Sequence, residues 1–397
     1  MKTIKHFMMA AAALMVAMSF TACSDDNDTP SNYQRYQQEV NNLVNSQQKH
    51  EKCILIVAFG STWEQAYDTF DEVVKDYKAD ERFKDEWDVY LSFSSIECIN
   101  NARDGENYAP KNYYDPEHWL NAIGAAGYKQ IVVQSLQVIP GEEYRNVRDT
   151  YVKNFMNNKN GNFTKEYMKS LDRNVVIGTP LMAEKTDAEE LANVLNNESD
   201  ISAAVAEGIV AFMGHGNPEG YDYYGGNIRY VELEQYLRAI NTNYYVGTVD
   251  MKQTLVKDVL KNIAGRNVTY KVGEISIPVS YEANPYTKAQ LYPLMSIAGD
   301  HAHNDMAEDW AEAFEAAHII PTNTYEDNFE EICWKRYLRG ETEDEGYIPA
   351  LAERSAVREM WKKHTEEAIA KLGTKYALRT PTTAPDNEEE EEEEEEE

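Results

Sequence analysis

Two histidines and one aspartate each close an apolar, strand-like run: His215 in Phe-Met-Gly-His-Gly, Asp250 in Val-Gly-Thr-Val-Asp and His301 in Ala-Gly-Asp-His-Ala. Two imidazoles and a carboxylate suit a divalent first-row ion and leave coordination positions open for a second partner. Neutral imidazole is also the natural proton acceptor near pH 7. A generic metal-dependent hydrolase is disfavoured, because neither a nucleophile elbow nor a His-Glu-x-x-His pair occurs. Taken singly, a histidine after a strand is more often structural. Three metal-capable residues at corresponding strand ends shift that balance, because carboxyl ends of parallel strands lie along one edge of a sheet.

The elements that would position them follow from apolar periodicity. Residues 53–59 form a continuous apolar run ending at Gly60-Ser61-Thr62, as in a strand buried on both faces. Helical spacing of Ala66, Tyr67, Phe70, Val73, Val74 and Tyr77 predicts a helix over 63–77. Strands are predicted at 88–93, 130–136, 208–213, 244–249 and 291–298, with helices at 118–126, 231–240 and 254–264. Such alternation implies an α/β fold of two Rossmann-like lobes, each a parallel sheet flanked by helices, with a ligand cleft between them. The lobes are placed at 50–200 and 201–348, followed by an amphipathic helix over 349–375.

Both ends read differently. Lys2 and Lys5, an apolar run to Phe20 and then Thr21-Ala22-Cys23 make residues 1–22 an export signal, too short for a comfortable membrane span. The small residues before Cys23 resemble a bacterial lipobox, which would lipidate Cys23 and anchor the chain to a membrane of the cell envelope. Residues 23–49 are then a tether. Residues 376–397 form an acidic tail ending in ten glutamates, which cannot pack. The formal charge of −31 argues against a nucleic-acid partner, since neutralising phosphates needs clustered Lys and Arg. Cys53, Cys98 and Cys333 form no Cys-x-x-Cys pair, so neither a disulfide framework nor a zinc ribbon is indicated.

Five blocks in order, from Ile-Leu-Ile-Val-Ala-Phe-Gly-Ser through Val-Val-Gln-Ser-Leu-Gln-Val-Ile-Pro-Gly-Glu-Glu-Tyr to Ala-Gly-Asp-His-Ala-His-Asn-Asp-Met-Ala, resemble the anaerobic sirohydrochlorin cobaltochelatases of the CbiK type. The resemblance covers about residues 52 to 320. It implies a class II chelatase whose two lobes clasp a tetrapyrrole above a metal held by His, Glu and His. The family histidines fall on His215 and His301, and its glutamate on Asp250, one methylene shorter. Gln137 stands where the family carries a histidine. By the same resemblance Co²⁺ is the substrate metal, with Fe²⁺, Ni²⁺ or Zn²⁺ as alternatives. Gly60, Ser61, Gln137 and Tyr224 are candidates for the substrate wall, and the tyrosines near His215 could stack on a planar macrocycle. An extracytoplasmic haem- or tetrapyrrole-binding lipoprotein is the competing reading, and a homo-oligomer stays open.

Overall fold

Cys53 to Ala58 carry no side chain that requires water, and the protein gives them none: all six are at most 2% exposed. The computed structural model describes residues 31–105, 109–322 and 348–378. The export signal, Cys23, Cys333 and the glutamate run lie outside these described residues.

Strands β1 (Lys52–Ala58), β2 (Trp87–Phe93), β3 (Gln130–Ser135) and β4 (Val175–Gly178) form a parallel sheet in the order β2-β1-β3-β4. In the second lobe β5 (Ile209–Gly214) and β6 (Tyr244–Thr248) lead to an antiparallel hairpin, β7 (Asn267–Val272) and β8 (Ile275–Ser280). The chain then returns as β9 (Lys288–Pro293) and the short β10 (Ile320–Pro321), giving the parallel order β10-β9-β5-β6. Read from its own first strand, the second sheet has the same order as the first. The two halves are therefore alike in topology, with the hairpin inserted between the second and third strands of the second.

In this topology the chain reverses direction across the sheet between the first and third strands of each lobe, where open α/β sheets leave a crevice at the carboxyl edge. Those strands are β1 and β3 in one lobe and β5 and β9 in the other. Gly60 ends β1 at a φ of 110°, and a Cβ there would lie 2.7 Å from Cys98 Cβ and 2.9 Å from the Phe93 ring. Only glycine turns the chain at that point without strain or collision.

Two expectations change. Residues 32–47, assigned to the tether, form the helix Asn32–Gln47, capped by Ser31 and Gln34, with Val40 and Val44 buried among first-lobe residues. Its mostly polar sequence hid a narrow apolar stripe. The C-terminal helix is shorter than 349–375, spanning Ser355–Ile369, and it does not extend the second lobe. It returns across the first sheet, where the Thr365 hydroxyl meets Gln134 of β3 at 2.8 Å and Tyr77 at 3.1 Å. Across the boundary placed near residue 200, the helix Lys185–Asn197 packs on the helix Ile228–Ile240 of the second lobe.

Candidate active site

β5 and β6 run side by side with Gly214 opposite Thr248, and their pairing continues beyond the strands. The Val249 N–H donates to the Gly214 carbonyl and the Asp250 N–H to the His215 carbonyl, both at 3.0 Å. Backbone register thus sets Asp250 beside His215, and their side chains approach to 3.8 Å. Gly214 is required by a neighbour: a Cβ there would stand 2.3 Å from the Tyr230 ring, which packs beneath the turn. His301 arrives from the end of β9 at the start of a wide helix, His301–Trp310, of i→i+5 type, a form that recurs at functional sites. The His215 and His301 rings meet edge to face with centroids 4.7 Å apart.

Each ring is fixed through Nδ1. In His215, Nδ1 donates to the Gly216 carbonyl at 2.7 Å; in His301, Nδ1 donates to the Asp305 carboxylate at 2.5 Å. The tautomer follows from the acceptor in each case and leaves Nε2 as the ligand or base. The two imidazoles are pushed in opposite directions. Desolvation in the cleft lowers the pKa of His215, helped by the charge of His301, against the pull of Gly216 and Asp250. The hydrogen bond from Asp305 raises that of His301 in spite of its own desolvation. Half of the His215 side-chain surface still meets solvent, so its desolvation comes from the protein mass around the cleft rather than from closure over it. His301 thus holds a proton more tightly than His215, and must release it before its Nε2 can take a metal.

The three residues come together without closing. Among the described residues no group of three His, Cys, Asp or Glu side chains is drawn into a ready metal cage. The set is nonetheless of the right chemistry for a divalent ion, with two imidazoles and one anion and no thiolate to retain it.

Above them lies a cleft of about 310 Å³. Its walls are loops from the carboxyl ends of β1, β3, β5 and β9, with Gly60, Ser61 and Gln137 on the first-lobe side and Met295, Ile297 and His301 on the second. Ser61 is only 3% exposed, and its hydroxyl accepts the Trp63 N–H at 3.1 Å, so it shapes the turn. Gln137 binds Ser135 through its amide oxygen, while its amide nitrogen is buried with no partner among the described residues. A donor of that kind seeks an acceptor, which a substrate carbonyl or carboxylate would supply.

Tyr224 is a correction. It does not line the cleft; its hydroxyl donates to Asp149 at 2.8 Å and its ring meets Tyr144 edge to face. Arg145 lies over the Tyr223 ring at 4.1 Å, and the Glu142 N–H reaches Asn217 at 3.4 Å. The tyrosine-rich loop of the second lobe thus brackets the first lobe through Tyr223 and Tyr224, whereas Tyr230, beneath the turn, lines the cleft wall. Sequence proximity to His215 could not distinguish the two. His303 is buried and stacked on Trp63, and burial pulls its pKa down to about 3, so it stays neutral.

Glu143 is a cleft residue that was not among the candidate site residues. Glu142 and Glu143 do begin a short helix, Glu142–Arg145, and both line the cleft. Burial, and secondarily the charge of Glu142, raises the Glu143 pKa from 4.5 to about 7. The doublet Glu-Glu after Pro-Gly was the only signal available. The folded chain holds this proton more tightly than the unfolded chain, so its contribution to stability is full below about pH 4.5 and is lost as the pH rises through 7. Glu143→Gln is therefore expected to gain stability relative to the parent at pH 8 and not at pH 4, as urea unfolding at the two pH values will show.

The same arrangement has relatives. A family model described as cobalt chelatase (CbiK) matches residues 52–370. The chain is 25% identical over 325 residues to a sirohydrochlorin cobaltochelatase of Salmonella typhimurium, covering 80% of this chain and 97% of the relative. It is 27% identical over 332 residues to the sirohydrochlorin cobaltochelatase CbiKC of Nitratidesulfovibrio vulgaris, covering 81% and 92%. Among solved structures it is similar to SirB from Bacillus subtilis with Fe³⁺, at 12% identity and a TM-score of 0.45 over 81% of this chain and 96% of that one. With two equivalent parallel lobes, a cleft at their carboxyl edges and a family match that runs from the first strand to the last helix, the chain belongs to the cobalt chelatase (CbiK) family.

Proposed function

We propose that this protein inserts a divalent metal, Co²⁺ before Fe²⁺, Ni²⁺ or Zn²⁺, into a sirohydrochlorin-like tetrapyrrole, the insertion step of anaerobic cobalamin formation. The observation that carries this reading is the pair of imidazoles that meet edge to face on the cleft wall, with Asp250 behind them at 3.8 Å from His215. Insertion exchanges one Co²⁺ for the two inner N–H protons of the ring. His215, held neutral, and Glu143, with a pKa of about 7, are two acceptors on the cleft wall for those protons. Asp250 and the Nε2 atoms of His215 and His301 supply an open donor set from which an ion can pass to the ring nitrogens. A closed thiolate site would keep it.

Incubation of the protein with sirohydrochlorin and Co²⁺, followed by visible spectroscopy, tests the proposal. Growth of the cobalt-sirohydrochlorin spectrum supports it; an unchanged spectrum sinks it. A parallel incubation with haemin that gives a stable bound spectrum without turnover would instead identify a tetrapyrrole binder.

The chain is further proposed to be exported and anchored through a lipid on Cys23, on the strength of the charged, then apolar, then Thr-Ala-Cys pattern of its first 23 residues. Metabolic labelling with an alkyne fatty acid is expected to mark the parent and not Cys23→Ser; equal labelling of the two would refute the anchor.

A further inference from the structure

His301 is a second-lobe residue whose immediate neighbours are held by the first lobe. Trp63 stands just before the helix Glu64–Ala79, at the end of the turn that follows β1. Its indole Nε1–H donates to Asp300 at 2.5 Å, and the adjacent Thr62 hydroxyl donates to the same carboxylate oxygen at 3.1 Å. Its ring stacks on His303 with centroids 3.5 Å apart and planes 3° apart. One side chain thus grips the residue before His301 and the residue two after it. The tie near His215 is a single longer one: Asn217, two residues on, accepts the Glu142 N–H of the first lobe at 3.4 Å, while the His215 ring is fixed by Gly216 within its own lobe.

The geometry points to Trp63 as a positioning residue for His301: a first-lobe indole that fixes the backbone from which a second-lobe metal ligand projects. This rests on the chelatase reading of the site. A ring's direction depends on the backbone that carries it as well as on its hydrogen-bond partner. Asp305 holds His301 Nδ1, but Asp305 lies on the same wide helix and moves with it. Trp63 ties that helix start to the opposite wall of the cleft. The spacing between His301 and the first-lobe wall is then set across the cleft by a stack and two hydrogen bonds, so apposition of the lobes and orientation of the ligand are one event. Outer-shell partners of metal ligands commonly carry 10–100-fold in affinity.

The test uses the full chain with Trp63→Ala and Trp63→Phe, the second keeping a ring for the stack while losing the indole donor. In the metal-free protein, imidazole ¹H–¹⁵N NMR signals of His301 are expected to shift in Trp63→Ala by more than those of His215, whose ring lies against it. Titration with Co²⁺, read by its visible absorption, is expected to give Kd values raised about tenfold in Trp63→Ala and by an intermediate factor in Trp63→Phe. The KM for Co²⁺ should rise in step while that for the tetrapyrrole stays within about twofold. Unmoved His301 signals together with an unchanged Co²⁺ Kd would overturn the assignment, as would lower thermal stability with no change in either readout. Should Trp63→Ala fail to fold, Trp63→Phe alone decides, and parent-like values for it refute the role. If the parent binds no Co²⁺ yet the His301 signals move, the positioning role stands and the chelatase reading fails.

Discussion

His215→Ala is expected to lower the rate of Co²⁺ insertion by about 10²- to 10⁴-fold, the range carried by a positioned acid–base group. The loss combines a ligand with a proton acceptor, because the same Nε2 serves both. Its fold should survive: the side chain is half exposed and its one hydrogen bond is to the next residue's carbonyl, so no buried partner is orphaned. His301→Ala is expected to fall into the same range through loss of the second ligand. The double variant should be little worse than either alone, since residues that act as a unit are not additive. Steady-state insertion assays together with thermal melts check all three variants. A His215→Ala protein that inserts Co²⁺ at the parental rate would remove this residue from the chemistry.

The largest effect on stability is expected from Trp361→Ala. Trp361 is fully buried on the C-terminal helix, and its removal leaves a cavity that a packed core cannot refill, at a cost of about 3–5 kcal/mol. The helix has strong lateral ties that limit collapse into the gap. Lys362 reaches Asp80 at 3.0 Å and Arg358 reaches Asp76 at 3.0 Å, both on first-lobe segments. On its other flank Arg354 pairs with Asp200 at 2.8 Å and with Glu198 at 3.0 Å. Guanidinium unfolding followed by circular dichroism should show the midpoint falling with little change in slope. Specific activity of the folded fraction should stay near that of the parent, because Trp361 does not line the cleft.

Much of this was legible in the residues because the strands that position the site are buried on both faces. Continuous apolar runs such as 53–58 and 209–213 have one physical reading, and each ends in the glycine or polar turn that carries the chemistry. His215, Asp250 and His301 are candidates read from strand ends, and the structure sets Asp250 beside His215 and the His301 ring against it, without closing them into a cage. What failed was any inference that needed to know which surface a side chain faces. Tyr224 is near His215 in sequence, yet the loop turns it onto Asp149 of the other lobe. The hairpin Asn267–Ser280 alternates apolar and polar residues around a Gly-Glu turn, but a chain read as repeated strand–helix units had no place for it. The helix Asn32–Gln47 has just two fully buried apolar positions, Val40 and Val44, too sparse a stripe to stand out from a polar tether. The raised pKa of Glu143 depends on enclosure by both lobes, which no local pattern encodes.

The return of the C-terminal helix to β3 and β4 also has a bearing on the order in which the molecule can be made. All four strands of the first sheet lie before residue 180, yet a segment that packs on that sheet is the helix Ser355–Ile369, synthesised after both sheets. The lobe that is first in sequence is therefore among the last to be completed. A nascent chain halted after β10 would carry the second sheet whole and the first with Val132 and Val176 short of their final cover, a surface prone to aggregation or to capture by chaperones. Synthesis of that helix, rather than emergence of either sheet, is the step after which both walls of the cleft can become permanent.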